Sequence, residues 1–158
     1  MVARRIFVVL LILLAGATGA AVAERPMLEG VVVRIVDGDT IRVQLDARVE
    51  RVRYIGVNTP EVHHPRKGEE PGGRAAAQEN GALVAGKRVR LELDVQERDR
   101  HGRLLAYVWA DDLMINAELL RRGYAQVMTV PPNVRYQALF LKLQRDARAA
   151  GRGLWRPS

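Results

Sequence analysis

Cysteine is absent from the 158-residue chain. That excludes disulfides, thiolate metal sites and cysteine nucleophiles together, and leaves stability to the packed core. Internal repeats and low-complexity linkers are missing as well. A bilayer span needs about 20 apolar residues, and the main apolar run, Ile6–Leu14, is shorter than that. It follows Arg4 and Arg5, precedes small residues through Ala21, and leads to Ala21-Val22-Ala23, a small-x-small cleavage pattern. This order predicts a signal peptide over residues 1–23 and an exported mature chain, 24–158, with periplasm and medium both open. Membrane attachment arises only if the segment stays uncleaved. The remaining 135 residues suffice for one domain and are too few for two ordinary ones. The leader holds two arginines and no acids, so the formal charge of +7 becomes +5 after cleavage. A modest positive excess favours polyanionic partners without identifying one.

What is present reads as short strands followed by helices. Val31–Val36 is a β-rich run that stops at the turn sequence Asp37-Gly38-Asp39. Ile41, Val43 and Leu45 alternate with polar residues, as a half-buried strand does. Val49–Val57 is read as a third strand, after a polar turn over Asp46–Arg48. From Thr59 to Gly73 the pattern fails, and loops of that length in compact domains are commonly functional. A helix is expected over Arg74–Ala85, then strands around Val89–Leu93 and Leu104–Ala110, separated by the charged turn Gln96–Arg103. Two more helices follow, one with Ile115, Leu119 and Leu120 on a face, one with Tyr136, Phe140, Leu143 and Ala147. Three strands, a helix, two strands and two helices predict a β-barrel with helices (α+β): a five-stranded OB-type barrel plus about three α-helices. Such barrels commonly bind nucleic acid across their strands and loops.

Three segments carry candidate chemistry. Asp37-Gly38-Asp39-Thr40 is either a conformational turn or a carboxylate pair able to hold a hard cation such as Ca²⁺. Arg53, counted along the third strand, shares a face with Ile55 and Val57. A guanidinium there needs a reason: an ion pair with Asp37 or Asp39, or a phosphate to bind. Glu61, after Asn58-Thr59-Pro60, is either a solvated carboxylate or a working one. The turn Asp99-Arg100-His101-Gly102-Arg103 matters if Arg103 faces the pocket of Arg53 and Glu61. His63-His64 has no second cluster to complete a transition-metal site and is read as a solvated loop.

Together, Asp-Gly-Asp-Thr after the first strand, Arg-x₄-Asn-Thr-Pro-Glu through the third and Asp-x₂-Gly-Arg-x₂-Ala-Tyr into the fifth resemble the thermonuclease, or staphylococcal-nuclease-like, family. The resemblance runs from Gly30 to Trp155. It implies a metal-dependent nuclease that hydrolyses DNA and RNA, leaving 3′-phosphates, with Ca²⁺ as cofactor or another divalent ion in its place. It implies Glu61 as general base and Arg53 and Arg103 as the two essential arginines. Asp39 and the Thr59 backbone carbonyl would ligate the metal, with Asn58 where the family commonly has a second aspartate, and Asp37 behind them. Lys67, Arg100 and His101 would lie along the nucleic acid. A monomer is expected, and no protein partner is implied. The rival reading is a catalytically lapsed OB-type binding module, supported by Asn58 and by His101 and Thr129–Pro132 standing where the best-known family member has tyrosines.

Overall fold

The computed structural model describes residues 27–62 and 68–157. The signal segment 1–23, the pair His63-His64 and Lys67 therefore lie outside the described residues. Strands β1 (Met27–Asp37), β2 (Thr40–Leu45) and β3 (Arg48–Tyr54) form an antiparallel meander. The β1–β2 turn is tight, with Asp37 opposite Thr40. Helix α1 (Gly73–Val84) follows the long loop. The short β4 (Val57–Asn58) precedes that loop, and β5 (Arg88–Glu92) and β6 (Leu104–Ala110) follow the helix. β1 pairs with β5, β5 with β6, and β6 returns parallel to β3 through Val52↔Leu104 and Tyr54↔Ala106. That last pairing closes a five-stranded barrel, as the element order predicts. After β6 come β7 (Leu113–Met114), helix α2 (Ile115–Arg121), β8 (Gln126–Val127) and helix α3 (Gln137–Ala149), with a 3₁₀ turn at Gly153–Trp155.

The barrel closes because its strands alternate. Ile41, Val43, Val52, Tyr54, Leu91 and Ala106 are buried, while Arg42, Arg51 and Arg88 between or beside them are exposed. α2 and α3 seal one side through Leu119, Leu120 and Phe140, the last in ring contact with Tyr107 and Tyr136. Two buried amides fix the helices to the turns that matter. Asn80 of α1 accepts from the Tyr54 hydroxyl at 2.8 Å and donates to the Asp37 carbonyl at 3.0 Å. Asn116 of α2 donates to the Ile55 carbonyl at 2.9 Å and accepts from Val108 N–H at 2.8 Å.

One expectation is corrected. Val49–Val57 is not one strand: β3 ends at Tyr54, a turn follows at Ile55-Gly56, and β4 pairs elsewhere, with β8. Gly56 makes the turn, at φ 78°, where a Cβ would stand 2.7 Å from Cε2 of Phe140. Parity counted through this break is void. Arg53 alternates with the buried Val52 and Tyr54, so its side chain leaves β3 on the face away from the barrel core, and the strand's alternation does not carry on to Ile55 and Val57.

Candidate active site

The site assembles where the β1–β2 turn meets the Ile55–Thr59 segment. Asp39 is buried at the turn. One carboxylate oxygen accepts from the Thr40 hydroxyl at 3.0 Å, the other from Thr59 N–H at 2.8 Å. The second oxygen also lies 3.2 Å from Nη2 of Arg53. Arg53 then donates through Nη1 to the carbonyls of Tyr54 and Val57, both at 2.7 Å, and through Nη2 to Oδ1 of Asn58 at 3.0 Å. The ion pair anticipated between Arg53 and Asp39 is thus present, and the same guanidinium shapes the turn at Gly56.

Glu61 is exposed on a segment pinned on both sides. Its N–H donates to the Glu70 carboxylate at 3.1 Å, its carbonyl accepts from Glu70 N–H at 2.8 Å, and the next N–H, of Val62, donates to Asp37 at 3.2 Å. Gly73 at the start of α1 is packed so closely that a Cβ there would come 2.6 Å from the Glu61 carbonyl. Asp37 therefore acts by holding the Glu61–Val62 backbone.

Arg103 depends on Asp99, a residue that sequence reasoning quoted only as part of a turn. Asp99 accepts from Arg103 Nε at 2.7 Å, from Arg103 N–H at 3.0 Å and from His101 N–H at 2.9 Å. The detectable signal was its spacing: an aspartate four residues before the arginine, with Gly102 at positive φ between them. Burial works to raise the Asp99 carboxyl, but the Arg103 side chain and the two backbone donors outweigh it and hold the group below its usual range. For Arg53, burial lowers the guanidinium from its usual range. Asp39 opposes this, Arg103 adds to it, and Asp99 and Glu61 oppose it. An arginine stays cationic through such a shift. These couplings mean that Asp39, Glu61, Asp99 and Arg103 all lie within electrostatic reach of Arg53.

Arg53 and Arg103 share the wall of an open cavity of about 390 Å³ with Arg100, His101 and the apolar Leu105, Met128 and Val130. Arg100 Nε donates to His101 Nε2 at 3.1 Å. Asp39, Asn58, Thr59 and Glu61 stand outside that wall, beyond Arg53. The structure so brings the sequence-derived residues together as two adjoining parts, basic cavity and carboxylate edge, with Arg53 belonging to both.

Among the described residues no three His, Asp or Glu side chains converge on a metal position. The oxygen donors nonetheless suit a hard divalent ion. Asp39 Oδ2 and Asn58 Oδ1 converge on the same Nη2 atom, at 3.2 and 3.0 Å. Beside them the Thr59 hydroxyl is buried without a hydrogen-bond partner.

Comparison with known proteins decides the family. The family model described as Staphylococcal nuclease homologue matches residues 51–157, from β3 through the 3₁₀ turn. The chain belongs to the staphylococcal nuclease family. Within the family, it is 41% identical over 122 residues to a thermonuclease of Staphylococcus intermedius, covering 77% of this chain and 73% of that one. A thermonuclease of Staphylococcus hyicus is 39% identical over 124 residues, 78% and 73% of the two chains. Endonuclease YncB of Bacillus subtilis is 37% identical over 127 residues, 79% of this chain and 60% of that protein. The family model begins after the Asp37–Thr40 turn, so that turn's place in the site comes from its contacts to Thr59, Val62 and Arg53.

Proposed function

We propose that this family member, a nuclease hydrolysing phosphodiester bonds, is an exported monomer that cleaves DNA and RNA with a bound divalent cation, calcium before any other. The observation that carries the reading is the pair of guanidiniums, Arg53 and Arg103, on one open cavity, with the exposed Glu61 two residues beyond Thr59, whose N–H is held by Asp39. A phosphodiester is anionic and repels nucleophiles, so its hydrolysis calls for charge neutralisation and an oriented water. Arg53 and Arg103 would hold non-bridging oxygens as charge builds at phosphorus, where preorganised donors contribute several kcal/mol each. Asp99 would keep Arg103 aimed. Glu61 would take the proton of the attacking water, a contribution of about 10²–10⁴-fold for a placed general base. Asp39, Asn58 and the Thr59 carbonyl would hold the cation, with Asp37 supporting the neighbouring backbone. When bound, the cation would supply Lewis-acid polarisation of a phosphate oxygen. Arg100 and His101, on the cavity wall, and Lys67 would contact the flanking nucleotide. Export rests on the order of Arg4-Arg5, the apolar Ile6–Leu14 and Ala21-Val22-Ala23.

Digestion of single-stranded DNA, duplex DNA and RNA by residues 24–158 tests this, with calcium, with magnesium and with chelator. Cleavage is expected with calcium and is lost with chelator. Glu61→Gln and Arg103→Ala are each expected to lower turnover at least about tenfold with the fold intact. Wild-type turnover in either variant removes that residue from the mechanism. The second reading, a binding module without turnover, rests on Asn58, whose amide brings oxygen but no charge. It prevails if no metal gives cleavage while salt-sensitive binding persists.

A further inference from the structure

Three arginines face one another across the outer surface of the barrel. Arg34 of β1 is paired with Arg42 of β2, and Arg42 is paired with Arg51 of β3. All three are exposed, and with Ile35 and Val36 they line a depression of about 310 Å³. None has a carboxylate partner among the described residues. Nearby, Arg48 and Arg98 are treated differently: both are held by Glu50, at 2.9 and 2.8 Å. Like charges directly opposite in an antiparallel sheet destabilise it. A row of three is therefore a local conflict that an anion lying across it would relieve.

The position of the row says which anion. Arg51 stands two residues before Arg53 on β3, both on the face away from Val52 and Tyr54, a step of about 7 Å along the strand. On β2, Arg42 stands in the same relation to Thr40, the residue paired with Arg53. The row is thus continuous with the site and spans about 10 Å across three strands. Guanidiniums address phosphate oxygens and carry no base code when they do so.

We propose that Arg34, Arg42 and Arg51 form a phosphate-backbone site, which holds the polynucleotide strand next to the phosphodiester at Arg53 without regard to sequence. The inference rests on the nuclease reading for what happens at Arg53. It extends that reading from one scissile bond to a strand several nucleotides long, and makes a long polynucleotide a better substrate than a dinucleotide.

The test reads binding, in a Glu61→Gln background with chelator present, so that cleavage during the titration is suppressed. A fluorescent single-stranded oligodeoxynucleotide of about 20 residues and a labelled dinucleotide are titrated at several salt concentrations. Replacing Arg34, Arg42 and Arg51 together by glutamine is expected to weaken the long strand at least about tenfold and to flatten its log-affinity against log-salt slope by about 2, as three lost phosphate contacts require. The dinucleotide is expected to lose far less. An unchanged affinity and slope for the long strand overturns the proposal. So does an equal loss for both ligands, which would mean that the row acts only through Arg53. Loss of opposed like charges leaves the melting midpoint unchanged or higher. Should the triple variant fail to fold, Arg42→Gln alone is expected to flatten the slope by about 0.7, and no change there overturns the proposal equally. Failure of the wild-type chain to cleave under any metal sinks the nuclease reading instead, while the binding titrations still decide the row.

Discussion

Arg53 carries more of the site than any other residue, because its four polar contacts join the β1–β2 turn to the segment from Tyr54 to Asn58. It donates to Tyr54, Val57 and Asn58 and pairs with Asp39. Its structural and phosphate-binding readings are therefore not exclusive: Arg53 holds Asp39 and is also part of the cavity wall. Asn58 is one position where the chain departs from the pattern that the resemblance implies, and it gives the sharpest prediction at this scale. Asn58→Asp adds a carboxylate next to Asp39 Oδ2, and ligand charge count tunes calcium affinity in oxygen sites. Calcium binding, measured by calorimetry without substrate, is expected to tighten at least about tenfold. An unchanged heat would mean that Asn58 is not a ligand. Asp39, Arg53, Glu61 and Arg103 are candidates in the sequence only through the order and spacing of three motifs taken together, since each motif alone is weak. The sequence did not reveal which way Arg53 points, because parity was counted through Gly56. It also hid Asp99, because an aspartate in a charged turn looks the same whether it solvates itself or aims an arginine.

At the level of elements, β2 and β5 were legible through alternation and β1 as a β-rich run stopped by a turn, and either signal needs several residues to be visible. β4, β7 and β8 are two residues each and carry no period, so the pair β4–β8 was out of reach. That pair nevertheless fixes Asn58, which stands opposite Gln126. The turn before it is the most exacting element in the site. Gly56 combines a left-handed backbone with contact against Phe140 of α3, and its carbonyl accepts from Met128 N–H at 3.0 Å. Gly56→Ala meets both penalties, strained φ and overpacking, and is expected to cost about 2–4 kcal/mol in urea unfolding. Because Gly56 also lines the cavity beside Arg53, substrate affinity should fall in the same variant. A midpoint equal to wild type would mean that Phe140 and the turn yield together at little cost, and that the site tolerates a looser frame.

For the molecule as a whole, buried and half-buried carboxylates set the response to acid. Glu118 of α2 is buried and receives hydrogen bonds from both Arg121 and Arg122, while Arg122 also reaches Glu79 of α1. Burial pushes the Glu118 carboxyl up, yet the two guanidiniums outweigh it and hold the group below its usual range. Glu50 is lowered first by its hydrogen bond from Arg98. A carboxyl lowered in the folded state binds its proton more readily when unfolded. Its contribution is therefore whole above the unfolded value, 4.5 for both glutamates, and drains away as pH falls through the lower folded value. Stability is expected to be flat from neutrality to about pH 5 and to decline below it. The guanidiniums around Glu118 are in partial contact with water, which limits its share to about 1–2 kcal/mol. Glu118→Gln keeps the size of the side chain and removes the titration. Its urea midpoint should be lower than wild type at pH 7, and the two curves should converge as pH falls below 4.5. Parallel curves over that range would mean that the α1–α2 seam holds through packing alone, and that the acid sensitivity of the molecule lies at Glu50 and Asp99, on the barrel.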